Sequence, residues 1–194
     1  SPITARFRRE QGRTMTRNKI DLWLRAMNPL KLPRGMAEAQ RSARSMVIGL
    51  VIALIVGLIP TWWMFTSGWF ETAMSAEYAK MGLSADQLAM QQEMMKVMWP
   101  FAIASGAIFS VLFYGVVAVV QWRMMTRAIP IIMLALIAYS VVANLGMRLL
   151  GTLPSPDLPL WINLTTWPAM IVSGVIYVAS LQGAMLLHRL KQEA

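Results

Sequence analysis

The sequence predicts an all-α integral membrane protein, a polytopic helical bundle of about four transmembrane helices with both termini in the cytoplasm. Hydrophobic residues make up 57% of the 194 residues and charged residues only 14%, whereas about 25% charged residues is usual for a soluble domain. Several uncharged stretches are long enough to cross a bilayer, and most of the +9 net charge lies in one terminal segment. Together these observations place the chain in the membrane class.

Residues 1–45 are predicted to form a basic cytoplasmic tail, in which eleven Lys and Arg residues face only three acidic ones. The first long apolar run starts near Met46, too late for a secretory signal peptide, although an organelle transit peptide is an alternative for an Arg-rich segment. Residues 20–27 fit a short interfacial helix that ends before Pro29. Because basic residues are attracted to anionic lipid surfaces, we expect lipid contacts from Arg6, Arg8, Arg9, Arg13, Arg17 and Lys19.

Four uncharged apolar stretches predict the transmembrane domain, residues 46–188. The spans cover about 46–65, 97–122, 128–147 and 165–187. At 1.5 Å per residue, a stretch of about 20 residues crosses the roughly 30 Å of hydrocarbon. Tryptophans near the ends of the stretches, such as Trp62, Trp99 and Trp122, are typical of the membrane interface. Pro168 is expected to open or kink the last helix.

The distribution of charge predicts the orientation, because short cytoplasmic segments are enriched in Lys and Arg. With four spans, the basic tail, the 123–127 turn and the 189–194 tail fall on the same side of the membrane. The 66–96 loop falls on the other side, and it carries two Lys against four acidic residues. Both termini are therefore predicted to be cytoplasmic.

This orientation can be tested by introducing single cysteines into a chain that has none. In intact cells, an impermeant maleimide should label Ser84→Cys and leave Ser1→Cys, Thr126→Cys and Ala194→Cys unmodified. Labelling after permeabilisation shows that all four thiols are reactive. Labelling of position 1 or 194 in intact cells would contradict the predicted topology.

The outside loop 66–96 has the sequence pattern of two helices. Apolar residues recur at helical spacing up to Met81, and Gly82 is a candidate for the residue that ends the first helix. Ser84 and Gln87 have the spacing of a capping box. The second helix is expected to continue into span two and to bend at Pro100. A proline-rich connector over 153–159 joins the last two spans.

The sequence lacks the motifs that would support catalysis. It has no P-loop, no G-x-S-x-G, no H-E-x-x-H and no dinucleotide-binding glycine pattern. It has no Cys, its single His is His188, and its acidic residues lie outside the predicted spans. We therefore expect a protein that is not an enzyme and has no metal or cofactor. The basic charge is confined to the tail and does not cover a folded face, so a nucleic-acid partner is not expected.

Small residues at four-residue spacing predict close helix packing. Such stripes let two membrane helices approach closely, whether they belong to one chain or to two. Asn144 and Gln182 are amides within the spans, and we expect them to bond to neighbouring helices. The stripes consist of Ser45, Gly49, Ala53 and Gly57 in span one, and of Ala102, Gly106 and Ser110 in span two.

The arrangement of Asn28-Pro29, a first span, an outside loop that ends in the segment 83–96, and closely following later spans resembles bacterial members of the Yip1 membrane family. The resemblance covers about residues 26–150, and Pro130 corresponds roughly to a proline in the third span of that family. It implies a helical membrane protein that acts through protein and lipid contacts without catalysis. We accordingly expect the bacterial inner membrane as the location. No functional residue is transferred from the family.

Two functional hypotheses remain. The first is an interaction protein, a scaffold or accessory subunit that packs against other membrane proteins or a second copy, for example in an energy-transducing or transport complex. The packing stripes and the absence of charge within the spans favour it, since transporters usually carry ionisable groups there. The alternative is a small transporter or channel with a polar path through the bundle, to which Asn144 and Gln182 would contribute.

Overall fold

The computed structural model describes residues 19–82, 84–150 and 159–193, except for the side chains of residues 70, 76, 77, 79 and 148. Within these ranges the chain forms helices and no β-strand. Helix α1 covers the described residues 19–26. It is followed by α2 (Met36–Thr66), α3 (Trp69–Lys80), α4 (Ala85–Met124), α5 (Ala128–Leu149) and α6 (Leu160–Gln192).

Four of the described helices, α2, α4, α5 and α6, are long and apolar enough to cross a membrane. Their most apolar 18-residue windows have mean hydropathies between 1.8 and 2.3. The predicted class is confirmed: the chain is an all-α integral membrane protein with four candidate spans.

The helices extend beyond the apolar stretches that predicted them. Helix α2 begins at Met36, within the segment assigned to the tail, and α6 already begins at Leu160. Helix α4 runs without interruption from the outside segment through Pro100 into span two, as predicted. Pro168 likewise lies inside α6. The helices are longer than the hydrophobic stretches because polar residues can continue a helix outside the hydrocarbon.

The connection between α3 and α4 follows the predicted capping pattern. Gly82 has φ +64°, a left-handed conformation that glycine adopts without steric cost. The backbone N–H of Ser84 donates to Oε1 of Gln87 at 3.1 Å, and the N–H of Gln87 donates to Oγ of Ser84 at 3.4 Å. The capping box is therefore confirmed, and it fixes the residue at which α4 begins.

The chain divides into two compact units, and the division points lie within the spanning helices. The first unit comprises Ser1–Gly49, Ala118–Ala135 and Val172–Ala194. The second comprises Leu50–Val117 and Leu136–Ile171. The first contains most of the fully buried side chains. The second contains α3 and the ring of Trp63, which contacts the rings of Trp69 and Trp161.

Candidate interaction surfaces

Helices α2 and α6 are in close contact in the first unit. A Cβ built on Gly183 would lie 2.7 Å from the backbone N of Ala43 and 2.8 Å from the carbonyl O of Ala39. A Cβ on Gly49 would lie 2.7 Å from Cε1 of Tyr177. At both glycines only a hydrogen atom fits, so the two helices pack backbone against backbone and backbone against ring. We call this contact the α2–α6 seam.

Hydrogen bonds from side chains to backbone carbonyls reinforce the seam. The carbonyl of Ala43 accepts from Oγ of Ser180 at 2.9 Å and from Nε2 of Gln121 at 3.1 Å. Gln121 is fully buried and belongs to α4, so this one carbonyl joins three helices. In the seam, Oγ of Ser173 also donates to the carbonyl of Gly49 at 3.1 Å. These bonds satisfy polar groups that would otherwise be costly to bury.

Ser42 links α1 to the seam. Its hydroxyl lies 2.8 Å from the carbonyl O of Ala179 in α6 and 3.1 Å from that of Ala26 in α1. A hydroxyl has one proton, so Ser42 donates to one of these carbonyls at a time.

Helix α1 is also held by a stack of side chains. The ring of Trp23 stacks on Trp122 of α4, with centroids 6.4 Å apart and an angle of 16° between the planes. The guanidinium carbon of Arg44 lies 5.1 Å from the centroid of the Trp122 ring. A cation over an indole face is attracted by the ring quadrupole. The aromatic stack therefore joins α1 to α4, and the cation–π contact joins α2 to α4 at the same tryptophan.

The stripe predicted in span one divides at its midpoint. Ser45 and Gly49 are both buried, and Gly49 lies in the α2–α6 seam. Oγ of Ser45 donates to the carbonyl of Ser42 in its own helix at 2.7 Å. Ala53 is half-buried, and Gly57 is exposed with no atom within 4 Å of a Cβ built on it. The N-terminal half of the stripe, Ser45 and Gly49, is thus buried within this chain, and exposure increases through Ala53 to Gly57.

The stripe predicted in span two is uncovered in the part of the chain that the structure describes. Ala102 and Gly106 are exposed, and a Cβ built on Gly106 would meet nothing within 4 Å. Ser110 is half-buried, and its hydroxyl donates to the carbonyl of Gly106 at 2.8 Å. The hydroxyl is satisfied within α4, so the stripe presents a smooth surface of small side chains.

The two amides singled out from the sequence lie in different units. Asn144 is exposed, and its Nδ2 donates to the carbonyl of Ser140 in the same helix at 2.9 Å. Gln182 is half-buried and directly precedes the seam residue Gly183 in α6. Of the predicted lipid-contact residues, Lys19 is exposed at the start of the described chain. The others lie outside the described residues: Arg6, Arg8, Arg9, Arg13 and Arg17.

Sequence reasoning missed several residues of the seam. Ala39 and Ala43 were assigned to the polar tail, and Gln121 was one polar residue at the end of an apolar stretch. On α6, the small residues Ser173, Ser180 and Ala184 recur at spacings of seven and four, which was a signal of the same kind as the stripes of spans one and two. In the structure all six of these residues are buried.

No protein-family model, curated protein or solved structure significantly matches this chain. Among the described residues, no three His, Cys, Asp or Glu side chains are grouped so that they could hold a metal ion.

Proposed function

We propose that this chain is a non-catalytic subunit of a larger membrane complex, in which the open face of α4 packs against a helix of another protein or of a second copy. The observation that carries the proposal is the contrast between two spans. In the most apolar window of α6, 44% of the residues are buried, whereas in that of α4 none is buried. Helix α4 therefore has its membrane face available.

The face of α4 that carries Ala102, Gly106 and Ser110 is better suited to a helix than to lipid alone. Lipid chains cover any apolar surface, but small residues let the backbone of a second helix approach closely, which maximises dispersion contacts. Gly106 costs helix stability compared with alanine. A partner helix that packs into the space at Gly106 would compensate for that cost.

The basic tail supports the same role. A subunit with cytoplasmic termini in a bacterial inner membrane would place the tail against anionic lipid headgroups, where each basic residue contributes on the order of 1 kcal/mol. The tail would fix the depth of the subunit, while the open face of α4 would select the partner.

The test is co-purification of the native protein and its partner after gentle detergent extraction, with mass spectrometry of the proteins retained. Gly106→Leu places an isobutyl group in the proposed contact and should weaken association by about 1–3 kcal/mol, the usual cost of overpacking. If the partner is a second copy, the dimer fraction should fall instead.

Gly115→Leu is the matched control. Gly115 is also open, and it lies nine residues from Gly106, roughly two and a half turns along α4 and so on the opposite face. It should leave association unchanged. Equal behaviour of the two variants would remove the support for this face. Solute uptake by liposomes containing only this chain, abolished by Asn144→Leu, would favour the transporter alternative.

A further inference from the structure

The second unit contains a pocket of about 480 Å³ that is lined by the last turn of α2, by α3 and by the first half of α4. Its volume is within the range of small-molecule sites. Aromatic rings from Phe65, Tyr78 and Trp99 form part of the wall. The polar side chains that line it are Glu71, Thr72, Ser75, Gln92 and Lys96.

An apolar groove of about 570 Å³ lies beside this pocket, between α2 and α4. The pocket and the groove share two lining residues, Phe65 and Pro100, so they are adjacent. Thr61 is one polar residue in the groove, and its hydroxyl donates to the carbonyl of Gly57. The rest of the wall includes Ile55, Ile59, Trp62, Ile103 and Ala107. A polar pocket adjacent to an apolar groove fits an amphiphile.

The wall of the pocket formed by α3 presents hydrogen-bond acceptors. The hydroxyl of Thr72 donates its proton to the carbonyl of Gly68 at 3.2 Å, and that of Ser75 donates to the carbonyl of Thr72 at 2.9 Å. Both hydroxyl oxygens can therefore only accept from a ligand. The carboxylate of Glu71 adds a negative charge. This wall suits a primary ammonium group, which has three donors and no acceptor.

The wall formed by α4 presents a cation. Nζ of Lys96 lies 3.8 Å from Oε1 of Glu93, and both side chains are mostly exposed. An exposed ion pair at that distance contributes little, so the Lys96 ammonium can bind an anion in the pocket. The amide of Gln92 supplies donors beside it. This wall suits a phosphate.

We propose that the second unit binds one phosphatidylethanolamine molecule, with its headgroup in the pocket and an acyl chain in the groove. The phosphate lies against Lys96 and Gln92, and the ammonium lies against Glu71 and the hydroxyls of α3. Phosphatidylcholine has no N–H to donate to these acceptors. Phosphatidylglycerol has no cation to pair with Glu71.

The length of the groove fits one leaflet. Along α2 it extends from Ile55 to Phe65, which at 1.5 Å per residue is roughly 15 Å. One leaflet contributes about half of the 30 Å hydrocarbon thickness, so roughly 15 Å. An acyl chain in the groove would therefore reach about the middle of the bilayer.

The experiment is native mass spectrometry of the full chain, purified in detergent, delipidated and titrated with phosphatidylethanolamine, phosphatidylcholine and phosphatidylglycerol of identical acyl chains. The wild type should bind phosphatidylethanolamine tightest. Glu71→Gln should weaken that lipid about ten-fold, as expected for the loss of a charge-assisted hydrogen bond. It should weaken phosphatidylcholine less, because that lipid has the positive charge but no N–H to donate, and it should not weaken phosphatidylglycerol, which has no cation. Equal affinity of the wild type for the three lipids, or an unchanged preference in Glu71→Gln, would overturn the proposal.

Two pairs of variants, each a test and its control, show which residues are responsible for lipid binding. Asp86→Asn removes an exposed acidic charge of α4 that does not line the pocket, and it should not change the preference. Ala107→Phe fills the groove and should weaken all three lipids. Val116→Phe places the same ring at an exposed position nine residues further along α4, on the opposite face and outside the groove, and it should weaken none. Equal binding by the two phenylalanine variants would show that the groove does not hold the acyl chain.

Discussion

Gly183→Ala should destabilise the folded chain by about 1–3 kcal/mol, the range for forcing an extra methyl group into a packed contact. The added Cβ would lie within 2.8 Å of backbone atoms of Ala39 and Ala43 and of Cβ of Ser42. Backbone atoms cannot rotate away, so the α2–α6 seam must open. Separation of the helices would also lengthen the bond from Ser180 to the carbonyl of Ala43, which is now 2.9 Å. Unfolding in mixed micelles, followed by circular dichroism, measures the loss.

The control for this prediction is Gly115→Ala. Nothing lies within 4 Å of a Cβ at Gly115, and alanine is the better helix former by about 1 kcal/mol. Gly115→Ala should therefore be neutral or stabilising. Gly183→Ala should lower the free energy of unfolding, whereas Gly115→Ala should leave it unchanged or raise it. A neutral result at both positions would contradict the close approach in the seam.

Tyr177→Ala should lower the free energy of unfolding by about 3 kcal/mol, the lower end of the range for removing a buried aromatic ring. Tyr177 is 1% exposed and is among the largest fully buried side chains described. Its ring also lies against Gly49, where a Cβ would be 2.7 Å from Cε1. Gly49→Ala should therefore be destabilising alone and nearly neutral in the Tyr177→Ala background, because the missing ring leaves room for the methyl group. Unfolding of the four combinations gives the coupling free energy.

Tyr177→Phe distinguishes the contribution of the ring from that of the hydroxyl, because it removes the hydroxyl alone. It retains the ring, so Gly49→Ala should remain as costly in this background as in the wild type. Residues in direct contact couple by about 0.5–3 kcal/mol, whereas independent residues add. Additive effects of Gly49→Ala and Tyr177→Ala would show that the ring does not limit the space at Gly49.

The hydrophobic pattern of the sequence predicted the long helices, because the bilayer requires a minimum length of apolar residues in each span. A span needs about 20 apolar residues, so the stretches near Met46 and after Ala128 were visible without a structure. The capping box at Ser84 was also visible, since it depends on residues three apart in the chain. The beginning of α2 at Met36 was not visible, because the polar first turns of a helix outside the hydrocarbon have no apolar signature.

The helix partners were not predictable from the same patterns. The sequence indicated that Gly49, Gly57 and Gly106 allow close approach, and the structure shows that only the first of these three faces a ring of the same chain. Small-residue spacing describes one helix surface, whereas a contact requires a second surface of matching shape. Gly183 packs against the backbone of Ala43, and Gln121 donates a hydrogen bond to its carbonyl. Ala43 lies far from both residues in sequence, so no local pattern indicated these contacts.

By itself the sequence determined the membrane class, the number of candidate spanning helices and the residues that end or begin several helices, because these follow from local composition and from hydrogen bonds between near neighbours. Only the tertiary structure decided which small residues are buried in the α2–α6 seam, which are open on α4, and which side chains form the pocket beside Glu71 and Lys96. These depend on contacts between residues distant in the chain. Such contacts arise from the packing of whole helices, which no local pattern encodes.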